Sequence, residues 1–202
     1  MKFNATNPKI DHSENLPAAP RAKVFGIGWA KTGTTTLGRC FEILGYNHQS
    51  QNLSLVPQIL RGDFAKTLRI AAAKESFEDW PWPLVYQEMD AAFPGSRFVL
   101  TTRALERWLA SYRSMLAAQG PPIPELRDIR VQLFGVNPAI ASDEELVARY
   151  KRHNLGIMEY FKTRSGKLLV VDWEAGDSWK RLCHFLRAPV PEAPFPHLNR
   201  RK

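Results

Sequence analysis

From Lys23 onward the chain alternates short apolar runs with stretches of helical periodicity. Val24, Phe25 and Ile27 lie in a run from Lys23 to Trp29 that ends in a glycine- and threonine-rich turn, which predicts a buried first strand. Thr34 to Leu44 places Leu37, Cys40, Phe41 and Leu44 at spacings of three and four, and Gly45 supplies the helix stop. The polar segment from Asn47 to Ser54 predicts a loop. Val56 to Asp79 is helical in tendency with interruptions, until Trp80-Pro81-Trp82-Pro83 forces a structured turn. Leu84 to Phe93 predicts a short helix stopped by Pro94-Gly95, and Arg97 to Thr102 a second strand. That strand feeds a helix from Leu105 to Leu116 with Leu105, Trp108, Leu109, Tyr112 and Leu116 on one face. After a proline-rich segment over residues 120–142, Asp143 to Phe161 is again helical. Lys167 to Trp173 gives a third strand, and Ser178 to Leu186 a helix with Trp179, Leu182, Cys183 and Leu186 facing inward. The tail from Ala188 lacks periodicity, and its prolines predict an extended strap lying on the domain.

Buried strands joined by helices predict an α/β fold, a three-layer sandwich with a mainly parallel sheet covered on both faces. Ligands in such sheets bind at the carboxyl ends of the strands, where Lys31, Arg103 and Asp172 would all emerge. The expected organisation is a loose leader over residues 1–20 and one domain over residues 21–202, with the proline-rich segment as a lid or substrate loop.

Composition narrows the picture only in part. The chain has 202 residues, 44% of them hydrophobic, and a formal net charge of +8, which attracts a small phosphorylated ligand as readily as a polyanion. No aromatic-basic interleaving or nucleic-acid module accompanies the charge, so specific nucleic-acid binding is not expected. Cys40 and Cys183 each sit in an apolar helical pattern and are expected to be buried free thiols rather than metal ligands. The leader contains no signal-peptide core, and no later segment is a transmembrane span, so the default location is cytoplasmic. Oligomeric state, monomer or homo-oligomer, is left open.

The chemistry begins at Gly28-Trp29-Ala30-Lys31-Thr32-Gly33-Thr34-Thr35. A strand leading through glycine into a helix N-terminus makes an anion site, because free N–H groups and the helix dipole converge there. The usual nucleoside triphosphate loop carries its lysine directly after the second glycine, where this chain has Thr34. Its lysine is Lys31, two positions before Gly33, which moves the charge into the arch of the loop, within reach of an oxygen bridging two anionic groups. Thr34, Thr35 and Thr36 add hydroxyls to their amides. The arrangement suits an anion bound without an obligatory metal.

These residues resemble the 5′-phosphosulfate loop of the P-loop sulfotransferases that use 3′-phosphoadenosine 5′-phosphosulfate. The resemblance rests on Lys31, Thr32, Gly33, Thr34 and Thr35, and on a second strand followed by Arg103 and, eight residues on, Ser111. Ala104-Leu105 stands where the family commonly has a proline-bearing turn. Further segments, through to the terminal Pro189-to-Asn199 stretch, resemble a compact, divergent branch of that family. The resemblance implies a P-loop NTPase-like sulfotransferase fold and sulfuryl transfer to a hydroxyl or amine acceptor by in-line displacement, leaving 3′,5′-adenosine bisphosphate, with no metal required. Lys31 would stabilise the leaving phosphate, Lys31 to Thr36 would hold the 5′-phosphate, and Arg103 with Ser111 would hold the 3′-phosphate. A general base would come from the segment before the second strand, where Asp79 ranks ahead of His48 and Glu78. His153 is expected to be solvated or on the acceptor side, and His184 structural. Trp29, Trp80 and Trp82 are candidates to contact adenine.

Two other readings compete. Leu168 to Asp172 resembles the strand that ends in a magnesium-orienting aspartate in a small P-loop kinase. A protein of this fold that has lost catalysis and binds a partner through its basic surface is the other.

Overall fold

The structure, a computed structural model, describes residues 21–118, 131–132, 137–196 and 198. The expected leader and most of the expected lid over 120–142 lie outside the described residues. Five strands, β1 (Val24–Gly26), β2 (His48–Gln49), β3 (Ser76–Phe77), β4 (Arg97–Thr101) and β5 (Leu168–Val171), form one sheet in the order β2-β3-β1-β4-β5. Every pairing is parallel, with Phe25 opposite Phe77 on one side and Phe98 on the other. The described helices are α1 (Thr34–Ile43), α2 (Val56–Leu60), α3 (Ala65–Ala73), α4 (Tyr86–Ala92), α5 (Leu105–Ala118), α6 (Asp143–Phe161) and α7 (Trp179–Leu186).

The period of two along the strands divides the core. Val24, Val99 and Val171 face Leu37, Cys40 and Phe41 of α1 and Leu182, Cys183 and Leu186 of α7. Phe25, Phe98 and Leu100 face the other way, against Trp82, Met89 of α4, and Ile157 and Phe161 of α6. Both thiols are buried and free, and burial raises their pKa values. A third apolar cluster, Trp29, Trp80, Trp108, Tyr112, Leu146 and Tyr150, joins α5 and α6 to the residues that follow β1 and β3. The tail lies along the domain as expected: Phe195 packs on Trp173 and Trp179, and Trp179 Nε1 donates to the Ala193 carbonyl at 2.8 Å.

The expected loop after Asn47 contains β2, and the long helical stretch before Trp80 ends in β3. These two-residue strands carry no readable period; they exist because β1 offers β3 an edge, and β3 then offers one to β2. The parallel sheet brings four strand ends to one edge, followed by Lys31, Asp79, Arg103 and Asp172.

Candidate active site

The loop after β1 is held from behind by its carbonyls. His153 Nε2 donates to Ile27 O at 2.8 Å, Thr32 Oγ1 to Trp29 O at 2.6 Å, Trp108 Nε1 to Ala30 O at 3.0 Å, Arg103 Nη1 to Lys31 O at 3.4 Å, and Trp173 Nε1 to Gly33 O at 3.1 Å. In a trans peptide the C=O and the next N–H point in opposite directions. Tying the carbonyls of Trp29, Ala30 and Gly33 backwards therefore turns the N–H groups of Ala30, Lys31 and Thr34 the other way. Gly33 leads into α1 as its N-cap residue with no side-chain cap, and the first turn holds no acidic residue. The first-turn N–H groups and the positive end of the helix dipole are left for an external anion.

Two glycines make this geometry possible. A Cβ at Gly28 would lie 1.9 Å from Thr101 Oγ1, and that hydroxyl in turn pairs with Thr32 Oγ1 at 2.6 Å. Gly33 has a φ of 96° and lies against the Trp173 indole. Lys31 adopts left-handed backbone, with a φ of 72°, which a side-chain-bearing residue takes at a cost. Thr32, Thr34 and Thr36 are buried and Thr35 is exposed.

Arg103 follows β4. The Tyr150 hydroxyl holds it by both backbone groups, accepting from its N–H and donating to its carbonyl at 3.1 Å each. Tyr150 is itself stacked on Trp108, with centroids 4.2 Å apart. The Arg103 guanidinium donates to Glu174 at 2.5 Å, and its Nε is buried with no hydrogen-bond partner within the chain. Ser111, two turns along α5, is half-buried.

Asp79 follows β3 with a φ of 63° and accepts from the Trp80 N–H at 2.7 Å, beside the cis Trp80-Pro81 peptide. Burial, and then the neighbouring Glu78 carboxylate, push its pKa up to about 6, against the Trp80 N–H and the positive charge of Lys31. Glu78 turns inward: it is 3% exposed, accepts from Ser50, and would be 3.0 Å from a Cβ at Gly38 in α1. His48 is committed beside it, with Nδ1 2.9 Å from Ser76 Oγ. Glu78 and His48 are thus taken up by other partners, whereas Asp79 feels the charge of Lys31.

Several expectations change. His153, expected to be solvated or on the acceptor side, is half-buried and stands edge-on to Trp29; desolvation drives its pKa down to about 4, so the neutral ring donates to Ile27. His184 is exposed on α7, next to the buried Cys183. Trp82 is fully buried against Phe77 and Phe25, a core ring with no face for adenine. Trp29 and Trp80 meet edge to face and are almost buried, so they brace the loop. Asp172 caps the short turn Trp173–Ala175, accepting from the N–H groups of Glu174 and Ala175 at 2.9 and 3.3 Å. That turn carries Trp173 and Glu174, neither of which the sequence singled out. Among the described residues, no group of acidic, histidine or cysteine side chains has the spacing of a metal site, and no helix is long and apolar enough to cross a membrane.

Comparison with known proteins agrees with the geometry. A sequence model of the family described as "Sulfotransferase domain" matches residues 23–202. A protein of Aspergillus versicolor described as "Ava biosynthesis cluster protein M" is 25% identical over 213 residues, spanning 87% of this chain and 80% of that protein.

Proposed function

Since the chain belongs to the sulfotransferase-domain family, we propose that it binds 3′-phosphoadenosine 5′-phosphosulfate at the loop after β1 and promotes transfer to a hydroxyl or amine acceptor. The observation that carries this reading is the loop itself, whose carbonyls are taken from behind while its N–H groups and the uncapped α1 terminus face outward. The buried, unpartnered Arg103 Nε supports a second anion site one strand away. When bound, the donor supplies the sulfuryl group and a phosphate leaving group.

The chain's own residues then have separate tasks. Lys31, in the arch of the loop, offers its charge to the bridging oxygen on which negative charge develops. The amides and hydroxyls of Thr34 to Thr36 hold the 5′-phosphate, and Arg103 with Ser111 holds the 3′-phosphate, as a guanidinium fork suits. Asp79, ionised above about pH 6, takes the proton from the attacking hydroxyl or amine as the new bond to sulfur forms. Two anchored anions and a fixed base provide the in-line positioning on which such transfers depend.

Calorimetric titration with 3′,5′-adenosine bisphosphate, alongside magnesium ATP, tests the reading. Tight, metal-independent binding of the bisphosphate, weakened by Lys31→Ala and by Arg103→Ala, is expected. Preference for magnesium ATP would overturn it in favour of a kinase.

A further inference from the structure

The Glu174 carboxylate spans two arginines. Its Oε1 accepts from Arg103 Nη2 at 2.5 Å and its Oε2 lies 3.3 Å from Arg107 Nη1. Partial burial works against its charge, yet the hydrogen bonds from Arg103 and Arg107 outweigh that effect and hold its carboxyl below the usual glutamate range. Arg107 and Ser111, four residues apart, share one face at the start of α5, and Arg103 precedes that helix by two residues. Glu174 reaches them because Trp173, the residue before it, is fixed to Gly33 of the loop. The opening is graded: the Arg107, Glu174 and Arg103 side chains are 68%, 35% and 24% exposed, so a ligand can enter from the Arg107 side.

We infer that Glu174 is an internal anion standing in the place of the donor's 3′-phosphate, and that Arg107 is a second arginine of that subsite. The inference rests on the assignment of Arg103 to the 3′-phosphate. Partly exposed ion pairs are weak, so a doubly charged phosphate that forks onto both guanidiniums displaces a singly charged carboxylate. A nucleotide with an uncharged 3′-hydroxyl has nothing to offer in exchange and leaves Glu174 in place. Glu174 thereby sets how strongly the site selects a 3′-phosphorylated nucleotide.

The test compares the binding of 3′,5′-adenosine bisphosphate and adenosine 5′-monophosphate to the full chain and to Glu174→Gln, Glu174→Ala and Arg107→Ala. Replacing Glu174 is expected to tighten bisphosphate binding about three- to tenfold, the effect of removing one or two partly exposed ion pairs. Monophosphate binding should stay within about twofold, because that ligand does not reach the arginines. Arg107→Ala should weaken the bisphosphate alone. If both Glu174 variants bind the bisphosphate no better than wild type, or worse, Glu174 orders the arginines instead and the inference fails while the donor-site assignment stands. Equal tightening of both ligands would show a general charge effect and also overturn it. A wild-type chain that binds the bisphosphate no better than the monophosphate would remove the 3′-phosphate assignment itself, and the inference with it.

Discussion

Trp173 stands where a side chain at residue 33 would begin. A Cβ built on Gly33 lies 2.4 Å from Trp173 Cδ1, while the same indole donates to the Gly33 carbonyl. Steric closure and a hydrogen bond thus act on one peptide unit, across 140 residues of sequence.

Gly33→Ala is expected to fail on both counts, since it adds the clash and asks alanine to hold a φ of 96°. The expected loss of stability is about 1–3 kcal/mol in chemical denaturation, with bisphosphate binding weakened further because the loop must move. A variant of wild-type stability and affinity would show that the Trp173 contact does not shape the loop.

Lys31→Ala is expected to lower kcat about 10²- to 10³-fold, the usual scale for removing a group that stabilises developing charge. Its effect on bisphosphate affinity should be smaller than its effect on kcat. Steady-state rates with an accepted substrate, set against calorimetry, separate the two; equal losses would make Lys31 a binding residue only.

Asp79 should govern the acid limb of the pH profile. With its pKa pushed up to about 6, kcat/KM is expected to rise as pH increases through that value and then level off. Asp79→Asn should remove the limb together with most of the activity. Glu78→Gln should shift the limb to lower pH, because Glu78 is the second cause of the elevation after burial. An unchanged limb in Asp79→Asn would assign the base elsewhere.

Asp79 and His153 should also bend stability with pH in opposite directions. Between an ordinary aspartate value of 3.8 and about 6, the unfolded chain gives up the Asp79 proton before the native chain does, so this contribution falls as pH rises. Between 6.5 and about 4, the unfolded chain takes up a proton at His153 that the native chain refuses, so that contribution falls as pH drops. Asp79→Asn should therefore steepen the acid-side loss of stability, and His153→Gln should expose a decline with rising pH. Denaturation midpoints between pH 4 and 6.5 measure both slopes, and matching slopes in the two variants would contradict the assignment.

What could be read from the sequence follows from how local each cause is. The start of α6 is legible because Ser142 and Glu145 form a capping box within four residues. Lys31 and Arg103 are legible because each follows an apolar strand and carries a charge that the strand does not need. In the sequence, Trp108 shows only as core periodicity, and Tyr150 and Trp173 carry no separate signal. Their apolar bodies are indeed core, and only the partners of their polar tips, 47 to 140 residues away, show that they shape the site. Asp172 misleads for the same reason, since a strand-end aspartate that caps a turn is indistinguishable in sequence from one that orients a metal.

The loop after β1 also bears on what a short motif is worth. Its shape is imposed by donors from α5, from α6 and from the turn after β5, so the segment Gly28 to Thr36 carries the ligand-facing chemistry but not the instructions for its own conformation. Cut out as a peptide or grafted onto another scaffold, it would keep its spelling and lose its grip. Conversely, a chain could keep every letter of the motif and fall silent through a change at Trp108, His153 or Trp173, none of which a motif search inspects.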